Sequence, residues 1–328
     1  MTANVAIIGA GSWGTAVAVL LASAGKRVTL FARRVELAAE LASTRENKSF
    51  LPGVKLPASV TPTADLPSFA DFDWCFCAVP TRYVREHFRA LNGKYPAELP
   101  IVSLSKGIEQ GSLHFPTEVL REATRAAHCL TLSGPSHAEE VARGLPTVVV
   151  SAGDETHAAA LAELMSTPAF RVYHSKDLKG VELAGAAKNV VAIAAGIIDG
   201  LGLGDNAKAA LLARGLAEIT RLGLAIGAEE RTFSGLSGIG DLYVTCASRH
   251  GRNRAFGERI GKGEQPQAIV DSMEMVVEGF NTAAALQALA RRQGVEMPIV
   301  DEVCNVLYEG ASPKEAVKRL MTRTLKAE

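Results

Sequence analysis

Short apolar runs alternate with longer amphipathic segments over the first half of the chain. The runs are rich in β-branched residues and have the length of buried strands. We expect strands at residues 5–8, 28–32, 74–79, 101–104, 130–133, 147–151 and 170–173. Helical patterns fill several of the intervals, the first at residues 15–24. Strands that alternate with helices predict an α/β fold with a doubly wound, mostly parallel sheet.

From about residue 178 the strand pattern stops, and helical periodicity rich in Ala, Leu and Gly continues to the end. Residues 206–226 have the pattern of one helix, with Asp205 before it and Gly227 after it as start and stop signals. A chain of 328 residues is long enough for two domains. We therefore expect an α/β domain over residues 1–177 and an all-α domain over residues 178–328.

The first strand runs directly into Gly9-x-Gly11-x-x-Gly14 and then into a helix. In this setting Gly9 makes a tight turn, Gly11 lets the backbone approach a pyrophosphate, and Gly14 lets helix and strand pack closely. The pyrophosphate then binds N–H groups at the helix N-terminus. The motif predicts a Rossmann-type dinucleotide-binding domain; the alternative is a purely structural glycine turn.

The second strand ends at Arg33 and Arg34, where a site for NAD usually has an acidic side chain, and the first acid is Glu36. Two guanidiniums at this position suit the 2′-phosphate of NADP(H). We expect NADP(H) to be preferred, with NAD(H) also usable. A solvated basic pair on a loop is the alternative.

Composition excludes several other classes of protein. Lys plus Arg and Asp plus Glu both number 35, so no basic excess points to nucleic acid or to a membrane surface. The five cysteines are scattered without zinc-ligand spacing, so we expect no metal. The first strand begins almost at the N-terminus without a signal peptide, which favours a cytoplasmic protein with reduced thiols.

Small and polar residues follow three of the expected strands: Pro80 after one, Lys106 after the next, and Gly134 with Ser136 after another. Ligands of open parallel sheets bind beyond the carboxyl ends of the strands. These segments are therefore expected near the bound ligand.

Residues 183–198 form an apolar helical segment in which Lys188 is the only ionisable residue and Asn189 the only other polar one. A helix that is apolar on every side is buried, and this one is shorter than the about 20 residues of a membrane span. Lys188 either extends to the helix edge or points into a cleft, where a lysine exchanges a proton with an alcohol or alkoxide. Asn189 is positioned to bind the same substrate oxygen.

Two later segments supply further candidates. Asp241 ends a glycine-rich stretch that is expected to be a turn; it is either a partner for Lys188 or an ordinary surface carboxylate. Soon after it come Arg249, Arg252, Asn253 and Arg254, which suit a small phosphate. A solvated basic loop is the alternative.

Several short motifs together carry a family resemblance. They are Gly-Ala-Gly-Ser-Trp-Gly (9–14), Ala-Val-Pro (78–80), Ser-Lys-Gly-Ile-Glu (105–109), Ser-Gly-Pro-Ser (133–136), Gly-Ala-Ala-Lys-Asn-Val (185–190), Asn-Ala-Lys-Ala-Ala-Leu (206–211), Gly-Ile-Gly-Asp-Leu (238–242) and Gly-Arg-Asn-Arg (251–254). In this order they closely resemble the bacterial NAD(P)+-dependent glycerol-3-phosphate dehydrogenases. The resemblance implies reversible reduction of dihydroxyacetone phosphate to sn-glycerol 3-phosphate for phospholipid synthesis. It also implies a cytoplasmic homodimer whose helical domain is similar to that of 6-phosphogluconate dehydrogenase.

The resemblance also implies roles for individual residues. Cofactor contacts are expected from Gly9, Gly11, Ser12, Trp13, Gly14, Arg33, Arg34, Pro80, Lys106, Ala138, Arg252, Val276 and Glu278. Substrate contacts are expected from Lys106, Gly134, Ser136, Lys188, Asp241, Gly251, Arg252 and Asn253. Lys188 is the expected proton donor or acceptor and Asp241 its orienting partner; Lys106 and Asn189 complete the catalytic group. Family members usually have Ser or Thr where this chain has Gly251. Because the backbone N–H is retained, we expect no effect of this difference beyond weaker substrate binding.

Two other functions are compatible with parts of this pattern. A reductase of another small keto or hydroxy acid also pairs a Rossmann domain with a catalytic lysine, but would not need Arg252, Asn253 and Arg254. A non-catalytic NADPH-binding protein would not need Lys188, Asp241 and Lys106.

Overall fold

The structure is a computed structural model that describes residues 2–66, 68–91, 93–248, 251–273 and 275–324. The chain divides into two compact units, which are described separately. The first unit comprises Met1–Lys106 and His114–Val181; the second comprises Gly107–Leu113 and Glu182–Glu328. The units divide four residues after the position expected from the sequence, and the short segment Gly107–Leu113 groups with the second unit.

The first unit has strands β1 (Asn4–Ile8), β2 (Arg27–Phe31), β3 (Glu46–Asn47), β4 (Leu51–Lys55), β5 (Val60–Thr63), β6 (Trp74–Cys77), β7 (Ile101–Ser103), β8 (Cys129–Ser133), β9 (Thr147–Ala152) and β10 (Phe170–Ser175). Its helices are α1 (Ser12–Ser23), α2 (Val35–Thr44), α3 (Thr81–Arg89), α4 (Pro116–Thr124), α5 (Ala138–Ala142) and α6 (Glu155–Met165), with a 3₁₀ turn at Phe69–Asp71.

Helix α7 (Leu178–Leu201) runs from the first unit into the second. The helices that follow it are α8 (Gly204–Ala225), α9 (Glu230–Phe233), α10 (Asp241–Ala247), α11 (Arg252–Gly261), α12 (Pro266–Ser272), α13 (Glu278–Arg292), α14 (Pro298–Tyr308) and α15 (Pro313–Met321). A π-helical turn at Leu236–Gly240 precedes α10.

The main sheet has the strand order β10-β9-β8-β7-β6-β1-β2-β5. All neighbouring strands are parallel except β8 and β9, in which Thr131 is opposite Ala152. The prediction of a mostly parallel, doubly wound sheet with a helical region after it is confirmed. The strand order reverses between β1 and β6, and in open α/β sheets ligands bind at the carboxyl ends next to such a reversal.

The continuously apolar sequence of β1 at residues 5–8 follows from its burial on both faces of the sheet. Val5 and Ile7 belong to the apolar core that contains α1, whereas Ala6 and Ile8 belong to the core that contains residues of α3 and α4. Successive side chains of a strand point to opposite faces, and helices cover both faces here. The result is a buried strand that ends at Ile8, directly before Gly9.

Strand β5 and the β3–β4 hairpin were not expected from the sequence. Strand β5 contains Pro62 and pairs with β2, and among the described strands it is the last one at that edge of the sheet. Proline is tolerated on edge strands because one side needs no hydrogen-bond donor. The proline obscured the strand pattern without preventing the strand.

Helix α7 is longer than residues 183–198, so the prediction that this helix is too short to cross a membrane was wrong. Among the described residues it is the helix that is long and apolar enough to do so, by length and composition alone. However, 94% of its most apolar window is buried within the protein. A Cβ atom on Gly257 of α11 would lie 2.0 Å from the Ile193 carbonyl oxygen, so α7 and α11 pack backbone to backbone.

Candidate active site

The glycine loop after β1 is fixed by backbone contacts. Gly9 has φ +115°, and a Cβ atom there would lie 2.7 Å from the Ala78 carbonyl oxygen at the end of β6. A Cβ atom on Gly14 would lie 2.0 Å from the Gly9 carbonyl oxygen. The Gly9 N–H donates to the Phe31 carbonyl oxygen at 3.0 Å, which ties the loop to the end of β2. Two of the three motif glycines are therefore required by packing.

The third motif glycine and the start of α1 have the properties of an anion site. A Cβ atom on Gly11 would lie more than 4 Å from every atom that the structure describes beyond its chain neighbours. Helix α1 has no side-chain cap and no acidic residue in its first turn. Its first N–H groups lack intrahelical partners, as at every helix N-terminus. The Trp13 indole Nε1 is a further buried donor, and it has no hydrogen-bond partner among the described residues. These residues fit the pyrophosphate of a dinucleotide.

Arg33 and Arg34 are exposed at the carboxyl end of β2, before α2 begins at Val35. The Arg34 guanidinium carbon lies 5.7 Å from the centre of the Phe50 ring, a cation–π contact that orients this side chain. Both arginines follow Phe31, the residue that binds the Gly9 N–H. The basic pair and the glycine loop thus occupy neighbouring positions at one sheet edge.

The loops after β7 and β8 meet at Gly134. Lys106 Nζ donates to the Gly134 carbonyl oxygen at 3.1 Å, and Ser136 Oγ donates to the same oxygen at 3.0 Å. Gly134 has φ +142°, and a Cβ atom there would lie 2.9 Å from Val149 Cα. The structure therefore brings together Lys106, which follows β7, and Gly134 and Ser136, which follow β8.

Two other residues expected near the cofactor begin helices of the first unit. Pro80 is half-buried and precedes α3, and Ala138 is the buried first residue of α5. Pro80 follows β6, the strand next to β1, and Ala138 follows the Gly134 loop.

Lys188 in the second unit is buried beside Asp241, and its ammonium donates to the Asp241 carboxylate. It also donates to Thr245 Oγ1 at 2.9 Å. Lys188 is 6% exposed and Asp241 1%, so this lysine does not extend to solvent. Desolvating both charges is costly, and the pair with its further hydrogen bonds offsets that cost.

The position of Asp241 follows from the glycine-rich stretch before it, which is a π-helical turn rather than the simple turn expected. Gly238 bends this turn with ψ −107°, and a Cβ atom there would lie 2.0 Å from the Phe233 carbonyl oxygen. The bend lets α10 begin at Asp241. Thr245, one helical turn later, faces the same side, and its hydroxyl donates to the Asp241 carbonyl oxygen at 2.6 Å.

Asn189 joins a chain of amide hydrogen bonds. Asn253 Nδ2 donates to Asn189 Oδ1 at 3.0 Å, and the Gly279 N–H donates to Asn253 Oδ1 at 2.9 Å. A Cβ atom on Gly279 would lie 2.7 Å from the Asn189 carbonyl oxygen. This chain holds the first turns of α11 and α13 against α7, one residue from Lys188.

The two arginines of the basic stretch that the structure describes, Arg252 and Arg254, differ in exposure and in their contacts. Arg252 is exposed, and its Nη1 lies 3.5 Å from Met275 Sδ. Arg254 is committed elsewhere: its Nε pairs with Asp199 Oδ2 at 2.8 Å and its Nη1 with Glu258 at 3.3 Å. Arg249 lies outside the described residues. The expectation that all these arginines face one phosphate is therefore wrong for Arg254.

Gly251 caps α11, and a Cβ atom there would lie 2.8 Å from the Thr245 carbonyl oxygen. A Ser or Thr side chain at this position requires the local backbone to shift. Val276 and Glu278 are both half-buried, and Glu278 is the first residue of α13. Its acidic side chain suits the N-terminal end of the helix dipole.

Thr245 was not predicted from the sequence. The signal for it was available, because residues four apart on a helix lie on the same face, and Asp241 was already a candidate. Asp199 was not predicted either, although it pairs with both Arg254 and Lys208. No short-range pattern identifies this pairing, since the partners belong to α8 and α11.

Comparisons with known proteins give a consistent result. A family model described as the NAD-dependent glycerol-3-phosphate dehydrogenase N-terminus matches residues 4–159, and the corresponding C-terminus model matches residues 177–318. The chain is 49% identical to a glycerol-3-phosphate dehydrogenase (NAD(P)+) of Moorella thermoacetica, with 98% of this chain and 97% of that protein covered. It is 48% identical to such an enzyme of Salinibacter ruber, with 99% and 97% covered.

A crystal structure of glycerol-3-phosphate dehydrogenase from Coxiella burnetii is also similar. Its TM-score is 0.94 at 36% identity, and the match covers 98% of this chain and 99% of that one. The similarity therefore extends over both units and includes the sequence as well as the fold.

Proposed function

Because this chain belongs to the NAD-dependent glycerol-3-phosphate dehydrogenase family, we propose that Lys188 and Asp241 form the catalytic pair of an NAD(P)-dependent oxidoreductase. The reaction is the reversible reduction of dihydroxyacetone phosphate to sn-glycerol 3-phosphate. The observation that carries the assignment of residues is the buried ion pair of Lys188 and Asp241, extended by Thr245. A reductase of a small keto acid would also use a catalytic lysine, but it would not need Arg252 and Asn253 to bind a phosphate.

A nicotinamide cofactor held at the glycine loop of Gly9, Gly11 and Gly14 would supply or accept the hydride of this reaction. Lys188 Nζ supplies the proton that the carbonyl oxygen needs as it becomes a hydroxyl, and in the oxidation it takes that proton back. Asp241 and Thr245 orient the lysine, since both bind its Nζ. Asn189, the next residue on α7, is proposed to donate to the same substrate oxygen.

The substrate phosphate is assigned to Arg252 and Asn253 at the N-terminus of α11. This helix begins with a capping glycine and has no acidic residue in its first turn, so its end favours an anion. Arg252 is exposed, whereas Arg254 is held by Asp199 and is excluded from the contact. Lys106, Gly134 and Ser136 of the first unit are assigned further substrate contacts, and Lys106 also a cofactor contact.

We infer that NADP(H) is preferred over NAD(H). Arg33 and Arg34 support this preference because both follow β2, where the ribose of a dinucleotide is usually bound by an acid. The remaining cofactor contacts are assigned to the glycine loop with Ser12 and Trp13, to Pro80 and Ala138, and to Arg252, Val276 and Glu278.

A cytoplasmic location and a homodimeric state complete the proposal. Both rest on the family membership, and the product sn-glycerol 3-phosphate would enter glycerophospholipid synthesis. Light scattering coupled to size exclusion measures the oligomeric state directly: a mass of twice 34.6 kDa supports the dimer and a monomer mass contradicts it.

The function is tested by following NADPH absorbance with dihydroxyacetone phosphate and, separately, with unphosphorylated dihydroxyacetone. Oxidation of NADPH with only the phosphorylated ketone is the expected result. Equal rates with the two ketones would contradict a phosphate-binding role for Arg252 and Asn253. NADPH binding without oxidation would contradict the proposed reaction.

A further inference from the structure

A cluster of His128, Asp154 and His157 lies in the first unit, and none of its members has a role in the proposed reaction. His128 directly precedes β8, and Asp154 and His157 lie at the start of α6, after β9. Strands β8 and β9 are antiparallel, with Thr131 opposite Ala152. The beginning of β8 and the end of β9 are therefore neighbours. This edge of the sheet is opposite the carboxyl ends of the parallel strands, where Gly9 and Gly134 lie.

The three side chains already converge. His157 Nδ1 lies 2.8 Å from Asp154 Oδ1, and His128 Nδ1 lies 3.4 Å from Asp154 Oδ2. The two imidazole rings stack with centroids 3.7 Å apart and an angle of 24° between their planes. One potential ligand atom from each residue lies within 4.8 Å of the others.

These separations match the distances between neighbouring ligand atoms around a bound metal ion. Zinc binds imidazole nitrogen at about 2.0–2.1 Å and carboxylate oxygen at about 2.0–2.2 Å. Neighbouring ligands at those radii are roughly 2.9 Å apart in an octahedral shell and about 3.4 Å apart in a tetrahedral one. The two observed N–O distances, 2.8 and 3.4 Å, are close to these values.

The surroundings also favour a metal over a simple ion pair. His128 Nε2 lies 3.7 Å from the Glu98 carboxylate, so the ring nitrogen remote from Asp154 faces an acceptor. A carboxylate on this side favours the tautomer with the proton on Nε2, which leaves Nδ1 to bind the metal. Asp154 is itself fixed, because its Oδ1 accepts the His157 backbone N–H at 3.1 Å as the N-cap of α6.

We propose that His128, Asp154 and His157 form a binding site for a divalent transition-metal ion of the zinc, nickel or copper class. A site with two imidazoles and one carboxylate binds these ions in preference to calcium or magnesium, which prefer oxygen ligands. All three side chains are at least partly exposed, so solvent molecules complete the coordination shell. Because the cluster is at the opposite sheet edge from the glycine loop, occupancy leaves NADPH binding unchanged.

The test is calorimetric titration of the full-length, untagged protein with Zn²⁺, together with electron paramagnetic resonance of the Cu²⁺ complex. One Zn²⁺ per chain and nitrogen couplings from two imidazoles are expected. His157→Gln should weaken Zn²⁺ binding by about tenfold or more, since loss of even an outer-shell partner has such an effect. Asp154→Asn removes a ligand charge while keeping a residue that caps helices equally well.

His87→Gln is the matched control, because this histidine contacts the Tyr83 carbonyl oxygen on α3 and lies outside the cluster. It should bind Zn²⁺ like the unaltered protein. The proposal is overturned if the protein shows no saturable Zn²⁺ binding, or if His157→Gln and Asp154→Asn bind it as tightly as the control. Circular dichroism and thermal unfolding of each variant verify that it folds like the unaltered protein, and NADPH oxidation without metal should be unchanged in all of them.

Discussion

The Lys188 ammonium and the Asp241 carboxylate form a buried ion pair between residues that are 53 positions apart in the chain. Thr245, on the same helix as Asp241, binds the same ammonium. The pair links α7 to the start of α10, so it affects both the stability of the second unit and its proposed chemistry. These two effects can be separated by substitution.

Stability is the first prediction. Lys188→Met leaves Asp241 as a buried carboxylate without its cation, which should lower the free energy of unfolding by about 3–5 kcal/mol. The double variant Lys188→Met with Asp241→Asn removes the charge as well and should recover most of that loss. Urea unfolding of both variants measures the difference. A double variant as unstable as the single one would show that the two charges do not interact.

The arginines of α11 are predicted to behave differently. Arg252→Ala should raise the KM for dihydroxyacetone phosphate by about 10- to 100-fold, the value of a hydrogen bond to a charged group. Arg254→Ala should instead lower the melting temperature, because Arg254 pairs with Asp199 and Glu258. Steady-state kinetics and thermal unfolding of both variants distinguish these roles. An unchanged KM in Arg252→Ala would mean that the phosphate binds elsewhere.

The next prediction concerns cofactor choice. Replacing Arg33 and Arg34 together by Asp should shift the ratio of kcat/KM values from NADPH toward NADH, because two cations that suit the 2′-phosphate become anions. The single variants show which side chain dominates. Arg34 is oriented by Phe50, so Phe50→Leu should affect the ratio only if Arg34 is the main contact. No shift in the double variant contradicts the 2′-phosphate assignment.

A pH effect on stability is predicted at Glu218 of α8. Its carboxylate accepts the Ile299 N–H at the start of α14, and burial raises its pKa from 4.5 to about 7 against the effect of these hydrogen bonds. Between those values the folded protein keeps a proton that the unfolded chain releases. The contribution of Glu218 to the free energy of unfolding is therefore full below pH 4.5 and falls by up to about 3 kcal/mol as the pH rises through 7.

Glu218→Gln keeps an acceptor oxygen for Ile299 but removes the charge. Its unfolding free energy should depend less on pH, and above pH 7 it should be more stable than the unaltered protein. Urea unfolding at several pH values measures this. Parallel pH curves for the two proteins would contradict the raised pKa.

Much of the fold was predictable because its signals are local. The strand before Gly9, the helix that contains Gly14 and the apolar neighbours of Lys188 in the sequence are each recognisable from a short run of consecutive residues. Strand β5 was missed because Pro62 hides the strand pattern, and only its edge position in the sheet makes that proline acceptable.

The candidate site was less predictable because its contacts are long-range. Nothing near Lys188 in the sequence identifies Asp241 as its partner, and the bend at Gly238 that brings Asp241 into place looks like an ordinary glycine-rich turn. Arg252 and Arg254 are indistinguishable by composition. Their separate roles depend on Asp199, which α7 places beside Arg254 alone.

The most direct test of the account is the activity of Lys188→Ala measured beside its affinity for NADPH. If Lys188 supplies the proton, kcat for dihydroxyacetone phosphate should fall by about 10²- to 10⁴-fold while NADPH binding stays near normal. A Lys188→Ala enzyme that folds, binds NADPH and keeps full activity would contradict the central role of this lysine.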